Sequence, residues 1–342
     1  MPSKKAQSPT ARTSWTDPVF SKEFEELVDK FIPGDDEIHS ISRQWLKAGG
    51  KRIRPMLFIG TYKALAKAET VPEHVLRLAM AVEVFHKASL VHDDIADGTR
   101  TRYGDPTLHM RLTTPASINI GDFLLGCGYT LVAETTKDLG GNIAYKVLML
   151  ITDAHRDLTL GQGKELRWGV EGSGVIDVPG VEELYMLKTV PGFTVPFDLA
   201  HLLVKGRHDN ASSKEREAMV SIGIAFQVLN DLSEMESRHG WDDIRNGRPT
   251  MLHAIALRDA DKGARETLVL LYMKKPQRSD DEVRTVLEVY DTLDIEDAAR
   301  DYVYGRLEQA RRLLSGSREP ALAELMRSLI DMLDAMNRHK NE

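Results

Sequence analysis

An all-α, single-domain helical bundle around a central apolar pocket is the fold this sequence predicts, and three observations carry it. Apolar residues recur at spacings of three and four through about ten segments, as in helices that bury one face. No segment sustains the period-two alternation of a strand. Aromatic residues, which strands favour, are only 6% of the 342 residues, while hydrophobic residues reach 42%, enough for one large core.

Residues 1–16 read as a disordered tail ahead of one domain over 17–342, because the early charges of Lys4 and Lys5 precede no apolar leader segment. The first helix starts at Phe20, where Phe24, Leu27, Val28 and Phe31 share a face. Gly49-Gly50 breaks the chain before Pro55 opens a helix over 56–68, and Pro72 opens another over 74–92. Helical spacing returns over 116–136 and, after Gly140-Gly141, over 143–168. It continues over 181–189, 213–233, 251–257, 280–293, 295–314 and 321–337. The glycine-bounded stretch 169–180 reads as a mobile surface loop, too short to be a domain linker.

Charge narrows the function. With 45 basic and 52 acidic residues the net charge is −7, the wrong sign for a partner made of phosphate backbone, so nucleic-acid binding is not expected. No apolar run reads as long enough to cross a bilayer, so integral membrane association is not expected either. The single cysteine, Cys127, excludes an intrachain disulfide and fits a cytoplasmic setting.

Two apolar helices run into acidic clusters. On the first, Asp93 and Asp97 are four residues apart and share a face, about 5–6 Å apart at Cβ, with Asp94 turned about 100° away. On the second, Asn230, Asp231 and Glu234 repeat the pattern with one amide in place of a carboxylate. Carboxylates that close repel unless a cation lies between them, and hard oxygen ligands suit magnesium completed by water and phosphate. A solvated helix end is the bland alternative. Basic residues alternate with these clusters: Lys51, Arg52 and Arg54 after the glycine pair, then Arg100 and Arg102, Lys188 beside Thr189, and Arg245 and Arg248. Cations at a glycine-rich helix start attract anions. Together they describe a site for a metal and a polyanion with an apolar tail.

The motifs resemble the trans-isoprenyl diphosphate synthases of the all-α class I terpenoid fold. The matches are Gly-Gly-Lys51-x-x-Arg54-Pro55, Asp93-Asp94-x-x-Asp97, and Arg102 with Gly104-x-Pro-Thr-x-His109. Asn119-x-Gly-Asp122, Gly161-Gln162, Lys188-Thr189, Phe226-Gln227-x-x-Asn-Asp231 and Asp243-Ile-x-x-Gly-Arg-x-Thr250 follow in the family's order. The resemblance implies that Asp93, Asp94, Asp97, Asn230, Asp231 and Glu234 hold magnesium, three ions with bound diphosphate. It implies that Arg102, Lys188, Thr189 and Gln227 assist departure of an allylic diphosphate, and that Lys51, Arg54 and His86 hold isopentenyl diphosphate. Arg238 and Arg248 stand where the family has lysines that bind substrate. It implies a homodimer through the helices around 119–136 and 143–168. Phe85 and Ala88, eight and five positions before Asp93 with Ser89 beside them, would set product length, and Ala88 leaves room that favours C20–C25.

The family's first acidic residue in the second cluster is Asn230 here, and its second arginine after the first cluster is Tyr103. These departures keep a class I terpene cyclase, or prenyl transfer to another acceptor, as rival readings, against which Lys51 and Arg54 are retained. Glu83 with His86 and Glu236 with His239 have the spacing of di-iron bundles. A non-catalytic partner subunit is the remaining alternative, although its first cluster would typically be damaged.

Overall fold

The computed structural model describes residues 18–207, 213–236, 241–273 and 277–338, and the expected tail over 1–16 lies outside them. Five helices and a hairpin form the first part: α1 (Pro18–Phe31), α2 (Glu37–Lys47), α3 (Ile53–Ala66), α4 (Glu73–Asp97), β1 (Thr101–Arg102) paired with β2 (Asp105–Pro106), and α5 (Leu108–Arg111). The long helices α6 (Thr114–Thr136) and α7 (Gly141–Glu171) follow, then α8 (Val178–Lys188), α9 (Pro191–Lys205) and α10 (Lys214–Glu236). The last third holds α11 (Asp242–Arg245), α12 (Met251–Asp259), α13 (Lys262–Tyr272), α14 (Asp280–Thr292), α15 (Ile295–Leu314) and α16 (Pro320–Arg338). The all-α expectation holds.

α4 is the axis of the site. It lies along α6 on one side and α3 on another, α3 packs on α9, and α10 runs against α15. Val84, Ala88 and Val91 give α4 a fully buried stripe. Gly121 lets α6 close on α4, since a β-carbon there would collide with the His92 ring. Gly161 does the same for α7 and α8, with the Lys188 backbone nitrogen 2.9 Å from where its β-carbon would be.

Several elements differ from the sequence reading. α2, α9 and α13 were not expected. In α9 residues Phe193, Phe197, Leu199, Ala200 and Leu202 are buried around the whole circumference, so no amphipathic period exists to be read, and Pro191 and Pro196 read as breakers. α7 extends to Glu171 and α8 starts at Val178, which leaves only 172–177 of the expected loop. The short hairpin β1–β2 contradicts the absence of strands; Tyr103 (φ 57°) and Gly104 (φ 88°) give its two-residue turn the positive φ angles that such hairpins need. At 23 residues, α6 is also long and apolar enough to cross a bilayer, against the sequence reading, yet here it is a bundle helix that buries Leu124, Leu131 and Val132.

Candidate active site

The end of α4 forms one wall. Helical spacing puts Asp93 and Asp97 side by side, and Gly98 (φ 68°) closes the helix directly after them. Asp94, turned to the other side, is 1% exposed, and both of its oxygens accept from Arg102 Nε at 2.8 and 3.0 Å. The hairpin therefore returns Arg102 to the helix that precedes it. Thr107 ties the hairpin's base by donating to the Thr99 carbonyl at 2.9 Å. Asp97 is paired with Arg248, whose guanidinium also lies 3.8 Å from Glu165.

α7, α8 and α10 build the opposite wall. Lys188 Nζ donates to Glu165 at 2.6 Å. The Thr189 hydroxyl donates to Gln227 Oε1 at 2.6 Å, and Gln227 Nε2 donates to Asp231 at 2.9 Å. Asp231 also accepts from the Tyr185 hydroxyl and from the Met251 amide at 3.2 Å. Glu234 accepts from the Asp242 amide, while Asn230 is exposed. Burial pushes Asp231 up to about 6 and Glu234 up to about 7. Asp243 is driven well above the usual carboxylate range by desolvation and then by Asp231, Glu234 and Glu165.

A separate cationic group lies at the start of α3. Arg54 Nη1 is 3.1 Å from His86 Nε2. A guanidinium has only donors, so Nε2 accepts and the ring proton sits on Nδ1. Burial, and then Arg54, hold His86 well below its ordinary range, which keeps it neutral. Lys51 reaches exposed to the Met336 sulfur at 3.4 Å. Phe85 is half-buried and meets the Tyr129 ring edge-on at 4.9 Å, Ala88 is fully buried, and Ser89 is exposed, its hydroxyl turned back to the His86 carbonyl at 2.8 Å. Arg238 lies outside the described residues.

A polyprenyl synthetase family model matches residues 35–290. The chain belongs to that family. The geranylgeranyl diphosphate synthase of Saccharolobus solfataricus is 29% identical over 68% of this chain and 70% of its own length. The geranylfarnesyl diphosphate synthase of Aeropyrum pernix is 26% identical over 90% and 97%. The polyprenyl synthase of Caulobacter crescentus CB15, solved with calcium and isoprenyl diphosphate, superposes with a TM-score of 0.78 at 24% identity over 96% and 99%. The enzyme is a prenyltransferase of isoprenoid biosynthesis, in a family that works on allylic diphosphates and depends on divalent metal.

The side chains fit a hard cation. Asp93 has no hydrogen bond and no ion pair among the described residues, and burial, with Asp97 and Glu165 nearby, pushes its carboxyl up to about 6. Lys188 and Arg102 pull the other way without offsetting burial, so a further cation would stabilise its ionised form. Both amide atoms of Gln162 are likewise buried without a partner. No three acidic, histidine or cysteine side chains converge as a closed metal cage among the described residues. The ligands are spread over two walls, which suits ions that also need oxygens from a substrate.

Sequence reasoning missed Glu165 and Tyr185, and read Asp243 only as part of a motif. Glu165 was within reach: it is three residues after Gln162 on one helix, hence on a neighbouring face. Tyr185 carries no local signal, because its contact with Asp231 spans 46 residues. Glu83, half of the di-iron spacing, is committed to Arg52 at 2.6 Å with both side chains buried.

Proposed function

We propose that the enzyme is a magnesium-dependent trans-prenyltransferase that joins an allylic diphosphate to isopentenyl diphosphate, with a C20–C25 product. The observation that carries this reading is the separation of two charged groups. Carboxylates interleaved with Lys188, Arg102 and Arg248 gather at the ends of α4 and α10, while Lys51 and Arg54, at the start of α3, have no carboxylate partner among the described residues and Arg54 hydrogen-bonds only to neutral His86. One region suits a metal-bound diphosphate, the other a diphosphate held by cations alone. The geranylgeranyl and geranylfarnesyl relatives support the product range.

Asp93 and Asp97 would hold ions on one wall, and Asp231 and Glu234, with Asn230 at their edge, another. We assign Asp94 to orienting Arg102, since its carboxylate is occupied there. Magnesium, when bound, supplies Lewis-acid stabilisation of the leaving diphosphate. Lys188, Thr189, Gln227 and Arg102 orient that group as its C–O bond breaks and the electron pair leaves with it. Preorganised cations and donors of this kind stabilise developing charge at no cost in reorganisation. The isopentenyl double bond then supplies the electrons of the new C–C bond, and the released diphosphate takes the proton that is lost. Arg54 and Lys51 hold the second diphosphate through this step.

Cyclisation is a second reading, favoured by Tyr103 and by exposed Asn230. Incubating the enzyme and an allylic diphosphate with and without isopentenyl diphosphate separates the two. A longer prenyl diphosphate only in its presence supports elongation, and a hydrocarbon formed without it overturns elongation. A homodimer through α6 and α7 is supported by exposed Ile118 on α6 and Tyr145, Leu148 and Met149 on α7. A cytoplasmic location is supported by the single cysteine, whose thiol burial pushes up to about 11.

A further inference from the structure

One turn of α4 holds the glycine loop between α2 and α3 with three polar side chains. Glu83 takes Arg52 and His86 takes Arg54. Lys87 takes the loop's own backbone: its ammonium donates to the Ala48 carbonyl and, at 3.1 Å, to the Gly49 carbonyl. Lys87 is fully buried and has no carboxylate within ion-pair distance among the described residues. A buried ammonium needs compensation, and two aromatic faces add to the two carbonyls. The Tyr103 ring centroid is 4.3 Å from Nζ and that of Trp45 is 5.2 Å away.

This lysine belongs to none of the motifs that place the chain in its family, and the ring over it stands where the family carries a second arginine. Tyr103 also presses on the loop itself: a β-carbon at Gly49 would collide with its ring, and Gly49 (φ 29°), Gly50 (φ 102°) and Arg52 (φ 52°) all hold left-handed backbone. In a trans peptide the N–H points opposite to the C=O. With the carbonyls of Ala48 and Gly49 drawn toward Lys87, the amides of Gly49 and Gly50 turn away from α4. Neither donates to another part of the described protein. Consecutive free amides form a concavity that binds anions.

We propose that Lys87 is a positioning residue for the second substrate: it draws the Ala48 and Gly49 carbonyls inward, so that the Gly49 and Gly50 amides, beside Lys51 and Arg54, face the diphosphate of the acceptor, and Tyr103 closes over its charge. The cation that the family places directly on the acceptor is replaced here by one that acts through backbone. The proposal rests on the reading above that the acceptor is a diphosphate.

The test uses the full-length enzyme with magnesium, and Michaelis constants measured separately for isopentenyl diphosphate and for the allylic substrate. Lys87→Met is expected to raise the constant for isopentenyl diphosphate about tenfold, the worth of a charge-assisted hydrogen bond, and to leave that of the allylic substrate within about twofold. If Lys87→Met does not fold, the Tyr103 pair decides: Tyr103→Leu, which removes the ring, should raise the acceptor constant at least about threefold above Tyr103→Phe, which keeps it. Wild-type enzyme that ignores isopentenyl diphosphate overturns the proposed function, and this inference with it, before any variant is made. Wild-type elongation with an acceptor constant unmoved by the variants, or with both constants raised equally, overturns the inference alone.

Discussion

Gly128 of α6 lies directly under the Phe85 ring of α4: a β-carbon at position 128 would stand 2.7 Å from the ring edge. Tyr129 meets the same ring edge-on, and its hydroxyl is 2.6 Å from His155 Nδ1 on α7. Phe85 is thus wedged among three helices, where it can act as the floor for a growing chain. One helical turn rises about 5.4 Å, close to one isoprene unit. Phe85→Ala should lengthen the product and Ala88→Phe should shorten it, as read by chromatography of the dephosphorylated products. Gly128→Ala should change the distribution in the wild-type background and have no further effect beside Phe85→Ala. Unchanged products in all of these would show that this helix does not set length.

Asp93→Asn and Asp97→Asn should each lower turnover by more than about a hundredfold, because loss of electrostatic stabilisation of a leaving group costs several kcal/mol. Asp97→Asn also leaves Arg248 without its partner on α4. Steady-state rates at saturating magnesium are the check, and near-wild-type rates would remove both carboxylates from the chemistry.

Stability should couple to pH through Asp93. Burial raises its carboxyl from 3.8 to about 6, so the metal-free folded state binds this proton more tightly than the unfolded chain. Its contribution therefore favours folding at low pH and declines as pH rises from 3.8 to about 6. Glu234, raised to about 7, adds a change of the same sign. Metal binding removes the penalty and needs the ionised form, so the magnesium-induced rise in Tm should be small near about pH 5 and larger near about pH 8. Equal shifts at both would count against these carboxylates as ligands.

Tyr145 is 64% exposed and Leu148 42% on the same face of α7, a turn apart. Large apolar side chains grouped on an exposed helix face mark an interface. Sedimentation at micromolar concentration should give a dimer, and Tyr145→Glu with Leu148→Glu should shift it toward monomer without loss of helical content.

How much was legible in the sequence depended on whether a role was local. Asp93 and Asp97 are visible because one helix supplies both and the helical period aligns them. The glycine loop is visible because its left-handed backbone calls for glycines, and Gly49 and Gly50 stand together in the sequence. α9 was hidden because burial on every side erases periodicity, and the β1–β2 hairpin because two-residue strands are too short to alternate. Glu165, Tyr185 and Lys87 act on parts of the chain 23, 46 and 39 residues away. No local pattern encodes such a partner.

The Asp97–Arg248 pair joins residues 151 apart. On the ribosome, where about 5–20 residues are added per second, roughly 8–30 s separate the appearance of that carboxylate from that of its guanidinium. Throughout this interval the acidic end of α4 has emerged without the cation that will close over it. The site is completed late in synthesis, and a nascent chain released before Arg248 would carry the motif that identifies the family with Asp94 already paired to Arg102 but Asp97 still without its partner.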